Sequence, residues 1–515
     1  MEKYNLQVVI NDFSGGWNPK WALNASQLLV NQSPFLSNCD YSGRFALTKR
    51  RGFVRVGDAT AGSGGGTSLW TYRTLAGVEY LVRAQGTVVQ YLDTGTDTWT
   101  NIATGLTDSQ KFDNATANGV MYFGNAVDNF AYWDGTTLTT SGTPPRGNIY
   151  AVSYFRLWIA GVTANLNRLY YSVTNSYADF SGGGAGSTDF PAAITACAPF
   201  FTSSGNESLQ VFLTNGDVYD VGFDSGGIYK KKIRSNVGSV NQRVVKQTED
   251  YNFTVDIFSN VRALGFDNNT GAGKSPSRSL FIEDYMKELT LTNACATYAD
   301  KSYILAVAND SSNNNEILIY SEDYDSWRLY QGVGANQFAR YNNKIHFISS
   351  TDRNVYRFES SEYSDDGVAI YFRYDTRDID FNKPIQSKEA RYIKVSGFIS
   401  TLAEIDVKLY VDGDITNPVV SKTISGSGAY VSTSAVYPWG SREWGSVPFA
   451  SFGGTSSTID VHDFWVAFSV PPSVPFDKIR LSFENDQRDV DFIITEIKML
   501  AVEKADERIP VIHQI

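Results

Sequence analysis

The chain is 515 residues long and carries 55 acidic against 44 basic side chains, a formal charge of −11. That length exceeds what one core usually holds, and an apolar share of 42% excludes a disordered chain. The acidic balance argues against a nucleic-acid binder of the usual, broadly basic kind, while 14% aromatic residues beside 43 glycines favour strands joined by tight turns.

The opening "MEKYNLQVVI" has no basic segment leading into an apolar one, so no secretory leader is expected. No apolar run reaches the ~18 residues that span a bilayer, so no membrane contact is expected. "NASQLLVNQ" (24–32) reads as a short amphipathic helix with Asn24 as N-cap. In "NCDYSGRFALTKRRGFVRVG" (38–57), Arg44, Lys49, Arg50, Arg51 and Arg55 crowd together, opposed only by Asp40. Lys49, Arg50 and Arg51 read either as a solvated face or as a dock for an acidic protein surface, and a hairpin turning at Ser42-Gly43, with Phe45, Leu47 and Phe53 buried, would turn them toward such a neighbour. Residues 1–57 are thus expected to form an N-terminal arm and hairpin.

From 58 to 365 a two-strand unit recurs: an apolar strand, a Gly/Asn/Asp turn, and a second strand carrying an aromatic, usually Tyr. Its copies are "EYLVRAQGTVVQYLD" (79–93), "GVMYFGNAVDNFAYWD" (119–134), "RLWIAGVTANLNRLYYS" (156–172), "SLQVFLTNGDVYDVGF" (208–223), "SYILAVANDSSNNNEILIYS" (302–321) and "NKIHFISSTDRNVYRFES" (343–360), with a looser one, "FTVDIFSNVRALGF" (253–266). Such a unit cannot bury both faces alone, so an irregular β-propeller of six or seven blades is expected over 58–365. Two copies run on through an acidic turn to Trp99 and Trp327, placed on the next strand to cover the gap between sheets. "DTGTDTW" (93–99) is near the sialidase Asp-box, a turn element without chemistry of its own. "YKKKIR" supplies a second basic cluster of Lys230, Lys231, Lys232 and Arg234. "DNNTGAGKSPS" (267–277) lacks the first glycine of a phosphate loop, Asn268 standing there, and reads as a solvated loop. "SRSLFIEDYMKELT" (277–290) reads as a second short helix capped by Ser277.

Over 366–515 the strands "AIYFRYDTRDIDF", "ARYIKVSGFIS", "AEIDVKLYVDGDI", "DFWVAFSV", "KIRLSFEN" and "VDFIITEIKMLAVE" no longer carry the unit, and a C-terminal β-sandwich is expected. Cys39, Cys197 and Cys295 show no CxxC spacing and read as buried thiols. His346, His462 and His513 have no second His at metal-ligand spacing, and no G-x-S-x-G elbow is present. The carboxylate groups (Glu322/Asp323/Asp325, Asp365/Asp366, Asp412/Asp414, Asp486/Asp489/Asp491) fall mostly in turns. No catalytic, metal or cofactor residue is assigned, and the chain is read as a non-enzyme.

The front of the chain carries Gly15, Gly16 and Asn18 in a "GG-x-N" start, Asn38 and Asp40 in "N-x-D", a turn at Gly43, and Arg50 with Gly52 in "R-x-G". This resembles the opening of bacteriophage tail nozzle proteins of the β-propeller type, also called tail tubular or DNA-stabilisation proteins. Irregular blades followed by "TRDIDFNKPIQSKEARYIKVSG" and "KIRLSFENDQRDVDFIITEIKML" extend the likeness in order along the chain. The resemblance implies a homohexameric ring below the portal and its adaptor, which completes the head, retains the packaged genome and forms the ejection channel. It implies double-stranded DNA passing without specific binding, tail fibres or spikes and a plug or needle protein as neighbours, and a virion-tail location after assembly in the host bacterial cytoplasm. A closed ring multiplies the acidic charge, and a carboxylate-lined channel repels phosphates. Arg44, Lys49, Arg50, Arg51, Phe53, Lys230, Lys231 and Lys232 are then the candidate contacts to the next subunit or the adaptor. The competing expectation is a propeller for host-surface glycan binding or receptor recognition, using aromatic loops around Trp439, Trp444 and Trp465 to stack on sugar rings.

Overall fold

A computed structural model describes residues 5–20, 26–42, 45–58, 66–201, 207–266, 273–359, 361–384, 386–427, 461–468 and 475–503 of the protein. Its chain divides into two compact units, one of Val54–Glu322 with Gln331–Phe358, the other of Met1–Phe53 with Asp323–Tyr330 and Glu359–Ile515.

The larger unit is a β-propeller. Its sheets are antiparallel meanders following one another in chain order, with first strands Ser68–Arg73, Asp113–Ala117, Ile149–Ser153, Ile194–Phe201, Lys246–Gln247, Thr290–Ala299 and Ala335–Tyr341. Each recurring pair read from the sequence forms the second and third strands of one sheet. Glu79–Gln85 pairs with Val88–Asp93, Val120–Gly124 with Phe130–Trp133, Glu207–Leu213 with Val218–Asp224, and the looser copy gives Asn252–Val255 with Val261–Phe266. Second strands such as Glu207–Leu213 and Ser302–Ala308 are buried on both faces because a neighbouring sheet covers each side. Several first and second strands are joined by two-residue turns with both residues in the left-handed region: Asn118-Gly119, Asp300-Lys301, Asn342-Asn343 and, with bulky side chains, Tyr154-Phe155. These mirror-image turns match the right-handed twist of the strands they join.

The last sheet returns to the first. Thr71 Oγ1 donates to Arg340 O at 2.8 Å and Asn336 Nδ2 to Gly66 O at 2.7 Å, while Leu69, Leu81, Trp99, Tyr341, Ile348 and Val355 bury one another. Phe53–Val56 takes the place beyond Val355–Phe358 in the last sheet, so a strand from the front of the chain completes it. Trp99, on Thr98–Ala103, lies in this seam beneath the Arg83 guanidinium at 4.0 Å, the covering role expected of it.

In the smaller unit one sheet runs Val461–Phe468, Lys388–Ser400, Phe492–Glu503, Leu47–Lys49, Cys39–Tyr41, with Asn5–Ile10 also on Phe492–Glu503. A second runs Leu36–Ser37, Phe372–Asp375, Ile479–Asn485, Glu404–Val411, Val420–Ser425. Apolar residues alternate along their strands, as in Lys388–Ser400, and Phe372 meets Phe492 edge-on at 4.9 Å. The N-terminal segment is therefore no separate arm. It supplies strands to both sheets: Asn5–Ile10 and Leu47–Lys49 take backbone partners on Phe492–Glu503, and Leu36–Ser37 takes them on Phe372–Asp375.

The helix expected over 24–32 begins outside the described residues. The segment 277–290 holds a 3-10 turn, Leu280–Ile282, and one α-helical stretch, Glu283–Glu288, with Ser277 lying ahead of both rather than capping. Asn24, Gly43, Arg44, Asn268, Trp439, Trp444 and His513 lie outside the described residues.

Candidate functional site

The basic stretch at the front folds inward. Cys39–Tyr41 pairs with Leu47–Lys49, and Ser42 N donates to Ala46 O at 2.9 Å, so the two strands of the hairpin pair, while Gly43 of its expected turn lies outside the described residues. Its side chains depart from the expectation. Phe45 is 42% exposed, whereas Lys49 and Arg50 are fully buried, and Leu47 and Phe53 are buried as anticipated. Arg50 lies in a fork on Asp365, Nη1 to Oδ1 at 2.7 Å and Nη2 to Oδ2 at 2.5 Å, while Nε donates to Asn38 Oδ1 at 2.7 Å. Lys49 Nζ donates to Asn485 Oδ1 at 2.9 Å and Gln487 O at 2.6 Å, and burial, reinforced by Arg50, lowers its ammonium to about 8. Arg51 is partly exposed, its guanidinium 4.1 Å over the Tyr363 ring and 3.5 Å from Asp491. Tyr363 donates its hydroxyl to Asp491 Oδ2 at 2.8 Å, and burial raises the Asp491 carboxyl against the pull of Arg51.

A strand alternates its faces, but the strand ends at Lys49, and both cations turn inward onto oxygen partners within the same unit, Asp365 and Asn38 for Arg50, Asn485 and Gln487 for Lys49. Asp40, read as the lone opposing charge, is itself taken: it accepts the Tyr330 hydroxyl at 3.0 Å and pairs with Arg328. Lys49 and Arg50 hold the smaller unit together.

The second basic cluster sits on Gly227–Arg234, the outer strand of the fourth sheet, with Lys230, Lys231 and Lys232 exposed. Lys230 Nζ donates to Asp189 O at 2.6 Å and lies 5.3 Å over Phe190, and Lys232 pairs with Asp217 at 3.1 Å. Lys231 stands opposite Asp220 in register. These three are on the surface, where a partner can meet them.

Sequence reasoning missed a polar clasp in the turn Gln242–Val244, ahead of the first strand of the fifth sheet, in "VNQRVV" (240–245). Asn241 Oδ1 caps the turn by accepting Arg243 N and Val244 N, and its Nδ2 donates to Ala294 O at 3.0 Å. The Gln242 amide clamps both backbone groups of Cys197, accepting at 2.8 Å and donating at 3.1 Å. Arg243 reaches Ser68 Oγ at 2.8 Å and Asn336 O at 3.1 Å. Three consecutive side chains thus tie the fourth, sixth, first and last sheets across the axis. Lys111 Nζ adds a bond to Asn293 Oδ1 at 2.6 Å. Beside them burial pushes Asp113 up to about 6, against the Tyr150 N–H and the Lys246 and Arg243 charges, and pushes Lys111 down to about 8. The only legible signal was three long polar side chains between valines, outside every repeat.

The remaining candidates resolve as structure. Asp93 Oδ1 accepts Gly95 N at 2.9 Å within the Asp-box-like turn, and Asp414 Oδ1 accepts the N–H groups of Thr416 and Asn417 at 2.8 and 3.0 Å. Cys39, Cys197 and Cys295 are buried free thiols, and burial raises each of them. Among the described residues no cluster of three His, Cys, Asp or Glu stands ready to hold a metal ion, and no helix is long and apolar enough to cross a membrane.

The strands and their order define an all-β protein built on a β-propeller. No protein-family model and no curated protein matches the sequence. Among solved structures the chain is similar to the β-propeller domain of Cps50 (Swd1) from Myceliophteria thermophila, at 12% identity over 59% of this chain and 98% of that one, with a TM-score of 0.42. It is also similar to YCF48 bound to D1 peptide, at 9% identity over 63% of this chain and 97% of that one, with a TM-score of 0.39.

Proposed function

We propose that the protein is a structural component of a bacteriophage tail, the nozzle below the portal and adaptor, where a homohexameric ring completes the head, retains the DNA and conducts it outward. On this reading the sheets of the larger unit are seven blades of one ring, and the two sheets of the smaller unit are a β-sandwich that includes the front of the chain. The observation that carries the proposal is the use made of the residues behind the resemblance. Asn38 and Arg50 are bonded to each other, and Asp40 braces Arg328 and Tyr330. A side chain on Gly52 would meet Ser364 O at 1.9 Å, and one on Gly16, at φ +73, would meet Trp327 O at 2.7 Å. The motif residues thus have a common physical purpose in interlocking the two ends of the chain, which supports reading them as one signature.

With Lys49 and Arg50 committed inside, Lys230, Lys231 and Lys232 are the better candidates for an acidic neighbouring subunit. Cryo-EM of the native particle tests the proposal. A six-fold, carboxylate-lined tube beneath a portal-adaptor stack is expected; density for this chain at fibre tips or on the capsid surface would overturn it. One observation favours the host-binding alternative: Trp465 is 55% exposed, with the Lys394 ammonium 5.5 Å from its ring.

A further inference from the structure

A cavity of about 570 Å³ opens where the loop after Arg168–Tyr171, in the third sheet, leans over the third strand of the second sheet. Its walls combine Tyr122, Tyr132 and Tyr177 with Asn118, Asn175 and Asp179, and further serine and threonine hydroxyls. The aromatic side is fixed by packing: Tyr122 meets Tyr177 at 5.9 Å and Tyr132 at 5.8 Å, and Phe130 meets Phe180 at 6.4 Å. The polar side is fixed by its own turns. Val173 N donates to Asp179 O at 2.9 Å, Asn175 N to Phe155 O at 2.8 Å, and Asp179 Oδ1 accepts Ser181 N at 3.0 Å and Gly182 N at 2.9 Å. The site is preformed rather than dependent on ordering of the loop.

Several polar groups are left over. Among the described residues no partner is bound to the hydroxyls of Tyr122, Tyr132 and Tyr177, or to Asp179 Oδ2, although all four residues line the cavity. Burial, with Tyr177 and Tyr132 adjoining, raises the Tyr122 phenol to about 12, so it stays a neutral donor, while the N–H groups of Ser181 and Gly182 hold Asp179 ionised as an acceptor. No lysine or arginine is among the lining residues, so phosphate, sulfate or sialic acid would meet a carboxylate without a compensating cation.

We propose that this cavity binds a neutral saccharide unit, its C–H face against the half-buried Tyr132 ring and its hydroxyls on Asp179, Asn118 and the free phenols. An aromatic side chain beside convergent neutral donors and one carboxylate suits a sugar ring, which is apolar on its faces and polar around its rim. The volume lies within the range of small-ligand pockets, about 300–1,000 Å³. The proposal does not depend on ring formation and applies to the free subunit as to an assembled tail.

Saturation-transfer NMR on the full chain with maltotriose, chitotriose and lactose, and with sialyllactose and inorganic phosphate as anionic probes, tests it. Transfer to at least one neutral oligosaccharide is expected, weakened about ten-fold or more by Tyr132→Ala at an unchanged thermal midpoint. Should Tyr132→Ala fail to fold, Tyr132→Phe and Asp179→Asn serve, each removing one polar contact and each expected to weaken binding. Absence of transfer from every neutral probe, equal binding by all folded variants, or preference for the anionic probes would overturn the assignment.

Discussion

Arg50 shows how little a residue's charge says about its task. The sequence displays it in a basic run, yet its guanidinium is buried with Asp365 and Asn38 and lies 5.3 Å from the Tyr330 ring. Arg50→Ala strands a carboxylate and an amide oxygen and is expected to cost about 3–5 kcal/mol in denaturant unfolding. Arg50→Lys should recover only part of this, because an ammonium cannot span both carboxylate oxygens. Reversing Arg50 would place two carboxylates together and unfold the smaller unit, so loss of assembly in such a variant says nothing about a seam. Asp113 offers a second residue-scale prediction. Its folded pKa of about 6 lies above the unfolded value, so the folded state holds the proton more tightly and stability from this group falls as pH rises from about 4 to about 6. The shift corresponds to roughly 3 kcal/mol. Asp113→Asn should flatten that slope in urea titrations across this window; an unchanged slope would show that Asp113 does not carry it.

Elements here are held by turns and clasps as much as by strands. Phe155 occupies the left-handed region at φ 55 in a two-residue turn and is 67% exposed, so it carries strain with little packing in return. Phe155→Gly is expected to raise the unfolding free energy by about 1 kcal/mol, read from the shift in midpoint at constant m-value. Asn241→Ala removes both the cap on Arg243 N and Val244 N and the bond to Ala294 O, and should cost about 1–2 kcal/mol. The recurring strand pairs were legible because a two-residue period and a Gly/Asn turn are local properties. The clasp was not, because Asn241, Gln242 and Arg243 acquire their partners from sheets up to 175 residues away. The saccharide cavity was hidden for the same reason: its walls come from two sheets, and no contiguous motif spells them.

At the scale of the whole molecule, surface charge decides how copies meet. Each chain carries −11, so the closed ring proposed above would work against its own repulsion. If Lys230 and Lys231 lie at the seam, Lys230→Glu with Lys231→Glu should leave thermal stability within about 0.5 kcal/mol, as for other surface changes. The same pair should abolish ring formation in sedimentation velocity; normal rings would remove them from the seam. Composition, turn chemistry and the period of the apolar residues by themselves determined that the chain is all-β, that its middle is a propeller, and where most of its strands run. Only the tertiary structure decided that the front of the chain belongs with its end, that Phe53–Val56 completes the last sheet, and that the basic run points inward. Periodicity is written in neighbouring residues, whereas the partner that satisfies a strand edge or a buried charge is chosen by burial, and burial exists only once the chain has closed on itself.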